Sequence, residues 1–137
     1  MGLILGLDAA ATSRQAIIGA LLIVAVADNL SDSLSVHVYQ EAERLDGREA
    51  FISTVANFAT RLLVAATFVG MVIMLPRGVL PWAAGTWGML LLAWLTQGIA
   101  RERGAPVGRE IAKHVAMAAA VLVISRALGA SIASVFA

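Results

Sequence analysis

The sequence predicts an all-α integral membrane protein in which four transmembrane helices form a bundle. Of its 137 residues 60% are hydrophobic and only 14% are charged, whereas a soluble domain carries about a quarter charged residues. Four apolar segments each approach the ~20 residues that cross a bilayer, and the connections between them are short. Because lipid-exposed backbone must satisfy its own hydrogen bonds, these segments are expected to be helices. Residues 1–137 are therefore predicted to form a single transmembrane domain.

The first two helices are bounded by residues that favour helix starts. The first helix is predicted at about 15–43 and follows Thr12 and Ser13, either of which can serve as its N-cap. The second helix is predicted at about 47–75, and Asp46 begins a capping-box pattern just before it.

The last two helices are bounded by prolines. A Pro-containing turn precedes the third helix, predicted at about 81–100, and Pro106 suits the first turn of the fourth, predicted at about 106–135. Gly85-x-x-Gly88 in the third helix favours close contact with a neighbouring helix. A short apolar lead, "GLILGLDAA", precedes the first helix and is too brief to span a bilayer.

Basic residues concentrate in two of the turns. The residues in or beside the turns after the first and third helices are Arg44, Arg48, Arg101, Arg103, Arg109 and Lys113. The opposite side holds only Arg14 and Arg77, so the positive-inside rule places both termini on the non-cytoplasmic side. A net charge of +1 with no basic, aromatic-rich surface gives no indication of a nucleic-acid partner, and the absence of cysteine excludes thiolate ligands.

The first helix carries unusual polarity for a membrane span. Asp28 and Asp32 are four residues apart and share one helical face, and Asn29 and His37 belong to an adjoining stripe. A charge at the centre of a membrane helix costs about 2.5–3.5 kcal/mol on insertion scales. Such residues pair, line water or mark an ion path.

The second helix carries matching polar residues. Counted from their shared turn, Arg61 lies at about the level of Asp28, and Asn57 at about the level of Asp32. Two interpretations stay open at this point. Either aspartate can pair with Arg61 only to pin the two helices together, or one can pair while the other stays available for a cation or a proton.

The donor set suits a divalent metal. Carboxylates, amide oxygens and one imidazole are ligands suited to Mn²⁺ or Fe²⁺. The predicted metal-binding residues are Asp28, Asp32, Asn29, His37 and Asn57, with Arg61 as their charge partner. Acidic residues at the cytoplasmic mouth, Glu41, Glu43 and Glu49, could concentrate cations, although the basic residues interleaved with them equally favour ordinary solvated ion pairs.

Several segments in order resemble the vacuolar iron transporter family. "LILGLDAAATSRQAIIGALLIVAVADNLSDSL" is similar to the end of the family's first helix and to its second helix. "ATRLLVAATFVGMVIMLP" resembles the third helix, and "QGIARERGAPVGREIAKHVAMAAAVLVISRALG" resembles the region of the fourth and fifth helices. The resemblance implies a divergent, shortened member of the family.

The chain departs from that pattern at the family's metal ligands. Most of the family's first helix, with its metal-binding aspartate, is missing. Asp32 stands where the family has a methionine ligand, and the family's downstream Glu-Tyr pair falls on Val36 and His37. Only Asp32 is carried over, with a changed type of ligand.

These observations predict a non-enzymatic membrane transporter or binding protein for Fe²⁺ or Mn²⁺, with proton coupling as one option. The metal is its substrate, and no tightly bound cofactor is expected. Four helices are too few to enclose an ion path. We therefore predict a homo-oligomer in the bilayer, specifically a dimer. The alternative is a non-transporting scaffold whose intramembrane Asp–Arg pairs specify helix association. The roles of Asp8 and Arg126 are left open.

Overall fold

In the computed structural model, which describes residues 1–43 and 47–136, all regular secondary structure of the described residues is helical. The all-α prediction is thereby confirmed. The elements are α1 (Gly2–Ala9), α2 (Arg14–Ile23), a π-helical turn (Val24–Asp28), α3 (Asn29–Ala42), α4 (Gly47–Met74), α5 (Leu80–Glu102) and α6 (Val107–Phe136). Arg44 and the predicted capping residue Asp46 lie outside the described residues.

Three helices are long and apolar enough to cross a membrane. They are the continuous helix Arg14–Gln40, which includes the π turn, then Gly47–Met74 and Val107–Val135. This supports an integral membrane protein. The third predicted span corresponds to α5, a helix of 23 residues that is not among the three, because Trp, Gly, Thr and Gln interrupt its apolar residues. A fourth span therefore stays a prediction.

The chain divides into two compact units, Met1–Ile17 with Met74–Ala137, and Ile18–Ile73. The first unit packs α1, α5 and α6 together. The sequence did not predict α1 as a helix, because it is too short to span. It is nevertheless anchored, since Ile4 is fully buried.

Glycines bring the backbones of α1 and α6 into direct contact. A Cβ atom on Gly129 would overlap the carbonyl group of Gly6, so only glycine permits this approach. Gly85 and Gly88 are both buried in α5, but a Cβ on Gly85 would meet its nearest neighbour at an ordinary 3.9 Å. A Cβ on Gly88 would overlap the Met1 side chain. The short helix α1 therefore uses small residues on both longer helices.

The segment between α1 and α2 is fixed by side-chain hydrogen bonds. Ser13 Oγ accepts the backbone N–H of Ala16 at 3.1 Å and so caps α2. Thr12 instead donates its hydroxyl to the carbonyl of Leu7 at 2.9 Å, at the end of α1. Of the two residues left open as the N-cap, the structure thus uses Ser13.

The π turn keeps the buried residues of its helix on one face. Leu21, Ala25, Asn29 and Ser33 are all buried and are spaced by four residues. In a regular α-helix each step of four rotates the side chain by about 40°, because one turn takes 3.6 residues. The wider i→i+5 turn at Val24–Asp28 counters this drift, so the stripe stays on one side.

Replacing Gly129 with Ala is expected to destabilise the protein by about 1–3 kcal/mol, because the added methyl group overlaps the Gly6 carbonyl. Gly98→Ala is the matched control, since nothing lies within 4 Å of a Cβ there. Thermal unfolding of both variants in detergent measures the difference. Equal stability of the two variants would contradict the tight α1–α6 contact.

Candidate functional site

Neutral polar side chains join α3 to α4. Asn29 and Ser33 are each only 3% exposed. Asn29 Nδ2 donates to the backbone carbonyl of Phe58 at 2.9 Å, and Asn57 Nδ2 approaches Ser33 Oγ at 3.5 Å. Because a polar group in lipid needs a partner within the protein, these contacts favour the paired arrangement of the two helices.

The same stripe continues along the next turns of α3. Gln40 Nε2 donates to Ser53 Oγ at 2.9 Å, and His37 Nδ1 lies 3.3 Å from Thr54 Oγ1. The Thr54 hydroxyl proton is directed at the carbonyl of Ala50, 2.8 Å away. The His37 contact can then be a hydrogen bond from Nδ1 to Thr54 Oγ1, in the tautomer that carries its proton on Nδ1.

Gln40 and Thr54 were not among the predicted site residues. Their positions carried a usable signal, since Gln40 follows His37 by three residues and Thr54 lies three residues before Asn57, each on the same helical face. Both residues serve the helix pairing.

The acidic residues lie on a different, exposed face of α3. Asp32 forms an ion pair with Arg61, and their side chains are 54% and 46% exposed respectively. Asp28, one turn earlier, is exposed, and it makes no ion pair with any described residue. Of the two aspartates left open as the partner of Arg61, the structure selects Asp32.

The contacts between α3 and α4 show which residues of the two helices lie at the same level. Asn29 meets Phe58 and Ser33 meets Asn57, so the two polar stripes face each other. Arg61 was expected at the level of Asp28, but Asp28 is not its ion-pair partner. The long Arg61 side chain reaches Asp32 instead.

The five predicted metal ligands occupy two faces. Asn29, His37 and Asn57 engage in the helix pairing, whereas Asp28 and Asp32 point outward. Among residues 1–43 and 47–136, apart from the Glu41 side chain, no group of three or more His, Asp or Glu side chains is placed to hold a metal ion.

The predicted cytoplasmic mouth is described in part. Glu43 and Glu49 are both exposed, which suits either an attraction for cations or solvated ion pairs. The Glu41 side chain lies outside the described part of the structure.

One buried atom beside the π turn lacks a hydrogen-bond donor. Asn29 Oδ1 is buried, and no donor from the described part of the chain reaches it. Leaving such an oxygen unsatisfied costs about 1–3 kcal/mol. An amide oxygen is also an acceptable ligand for a hard cation, and Asn29 directly follows Asp28.

Comparison of the chain with known protein families, with curated proteins and with solved structures finds no match. The resemblance to the vacuolar iron transporter family therefore stays a prediction that rests on the quoted segments.

Replacing Thr54 with Val is expected to weaken the α3–α4 pairing by about 1–3 kcal/mol, because it removes the hydroxyl group that contacts the half-buried His37 Nδ1. Thr60→Val is the matched control, since the Thr60 hydroxyl bonds only to Ala56 within its own helix. Unfolding in detergent, followed by circular dichroism, compares the two. If Thr60→Val were equally destabilising, the contact across the helices would contribute nothing.

Proposed function

We propose that this chain is a subunit of a membrane transporter or binding protein for a divalent cation, Fe²⁺ or Mn²⁺, with Asp28 and Asp32 on the ion path. The observation that carries the proposal is the division of polar groups on α3. Neutral side chains make most of the contacts with α4, while both carboxylates are exposed on another face.

The depth of these carboxylates requires a polar environment. Both lie within the candidate span Arg14–Gln40. Asp28 precedes the end of α3 at Ala42 by about 20 Å of helix, at ~1.5 Å per residue. Exposed carboxylates at such a depth are costly in lipid and ordinarily face a water-filled cavity or another protein surface. An ion path lined by these side chains meets that requirement.

The chemistry of the neighbouring groups supports a divalent metal as the substrate. The two carboxylates are hard donors that suit Mn²⁺ and Fe²⁺, whereas Asn29 and His37 lie on the face that pairs with α4. Arg61 is the charge partner of Asp32 in the absence of the metal. An arriving cation would compete with Arg61 for the Asp32 carboxylate, and Arg61 would recover it when the cation leaves. Asp28 could exchange a proton in the same cycle.

A second copy of the chain is part of the proposal. Because no three His, Asp or Glu side chains converge among the described residues, further ligands would come from the α3 of a partner in a homodimer. We also propose that α5 is the fourth span, that both termini lie on the non-cytoplasmic side, and that the chain is a shortened member of the vacuolar iron transporter family.

Asp32→Asn and Asp28→Asn are each expected to reduce Mn²⁺ binding at least tenfold, because each removes a charged ligand that no neutral amide replaces. Isothermal titration of the purified protein in detergent measures the binding. Glu102→Gln removes one carboxylate from the end of α5 and should leave it unchanged. Normal Mn²⁺ affinity in the folded Asp32→Asn variant would refute the role of this residue.

The Asp32–Arg61 ion pair also supports a second function, a membrane scaffold in which this pair specifies helix association. The double variant Asp32→Arg with Arg61→Asp separates the two. A scaffold should lose stability of the α3–α4 pairing with either single change and recover it with the double one, as measured by unfolding in detergent. A cation site should regain no Mn²⁺ binding in the double variant, because a guanidinium then stands at the ligand position.

A further inference from the structure

A groove in the first unit contains an unpaired arginine. It lies between α1, α5 and α6 and has a volume of about 590 Å³, within the usual range of ligand pockets. Its lining is almost entirely apolar, and Arg126 contributes its one charged group. Pro81, Trp82 and Gly85 form the α5 side, and Leu122 lies on the α6 side.

Arg126 has no anionic partner in the described part of the chain. It is exposed, it belongs to the candidate span Val107–Val135, and neither a hydrogen bond nor an ion pair of its side chain is formed there. Asp8, the only carboxylate of α1, does not pair with it. An uncompensated guanidinium in a membrane span is unfavourable, so an anion at this position would stabilise it.

Trp82 indicates the level at which the groove would lie in a bilayer. Trp82 is the third residue of α5, and tryptophan side chains concentrate at the membrane–water interface. Because Trp82 and Arg126 line the same groove, the guanidinium lies near that level. The apolar wall formed by Gly85, Met89 and Leu122 would then extend towards the hydrocarbon.

We propose that this groove binds one anionic phospholipid, with its phosphate at Arg126 and an acyl chain against the apolar wall. Basic pockets between membrane helices recognise anionic headgroups in this way. Besides Arg126, the lining offers only the Trp82 indole N–H and the Thr86 hydroxyl as side-chain donors. A free phosphate ion would leave the apolar part of the groove empty, whereas a lipid would fill both parts. The proposal does not depend on the cation path of α3.

Arg126→Gln tests the headgroup contact. Native mass spectrometry of the full chain, in detergent with equal amounts of phosphatidylglycerol and phosphatidylcholine of the same acyl chains, measures the ratio of the two lipids retained. The original protein is expected to favour phosphatidylglycerol about fivefold, and Arg126→Gln to abolish this preference. Arg126→Lys should keep most of it. Arg109→Gln, which removes the same charge from the first turn of α6, should leave it unchanged.

Ala119→Leu tests the acyl contact without changing any charge. Ala119 lines the groove and is exposed, so the larger side chain should lower retention of both lipids several-fold. Equal retention of the two lipids by the original protein would overturn the proposal, as would an unchanged ratio in Arg126→Gln. Displacement of the lipid by inorganic phosphate would overturn it as well, since the groove would then be an anion site. If Arg126→Gln does not fold, the test uses Ala119→Leu and Arg126→Lys, with lipid retention and the ratio of the two lipids as the measurements.

Discussion

Bilayer hydrocarbon offers no hydrogen-bond partner to a polar side chain, and helix α3 meets this constraint in two different ways on its two polar faces. On one face, the side chains of Asn29, Ser33, His37 and Gln40 contact polar groups of α4 inside the hairpin, although the amide oxygens of Asn29 and Gln40 receive no donor from the described residues. On the other face the carboxylates are exposed, and only Asp32 has a charged partner within the described part of the chain. The first face pairs α3 with α4. On the second face, the Asp28 carboxylate has no cationic partner among the described residues.

The Asp32–Arg61 ion pair is more important for the proposed site than for the stability of the fold. Both side chains are about half exposed, and exposed ion pairs in water contribute little to stability. Neutral contacts nearby also join α3 to α4. The pair matters most as the contact that an arriving cation would have to displace from the Asp32 carboxylate.

The sequence was sufficient for the long helices and for their polar stripes. Length, hydropathy and the prolines locate the helices, since each depends on neighbouring residues alone. Spacings of four residues likewise place Asp28 with Asp32 on one face. Which aspartate meets Arg61 could not be predicted, because two adjacent turns are both within reach of so long a side chain.

Other features depend on contacts between distant parts of the chain. Helix α1 is too short to be recognised from hydropathy, and it forms against α6 only because Gly6 and Gly129 permit backbone contact. The groove at Arg126 likewise combines residues of three helices. Neither feature leaves a periodic signal in the sequence.

The π turn at Val24–Asp28 has a consequence for how this protein can change. It keeps two parts of the helix in register. The buried residues before it are the apolar Leu21 and Ala25, those after it are the polar Asn29 and Ser33, and all four lie on the same face. Removing a single residue here would turn one half against the other by about 100°. Asn29 and Ser33 would then take the outward direction that Asp28 and Asp32 have now, and Leu30 and Leu34 would face inward, so the length of this short segment is constrained more tightly than its composition.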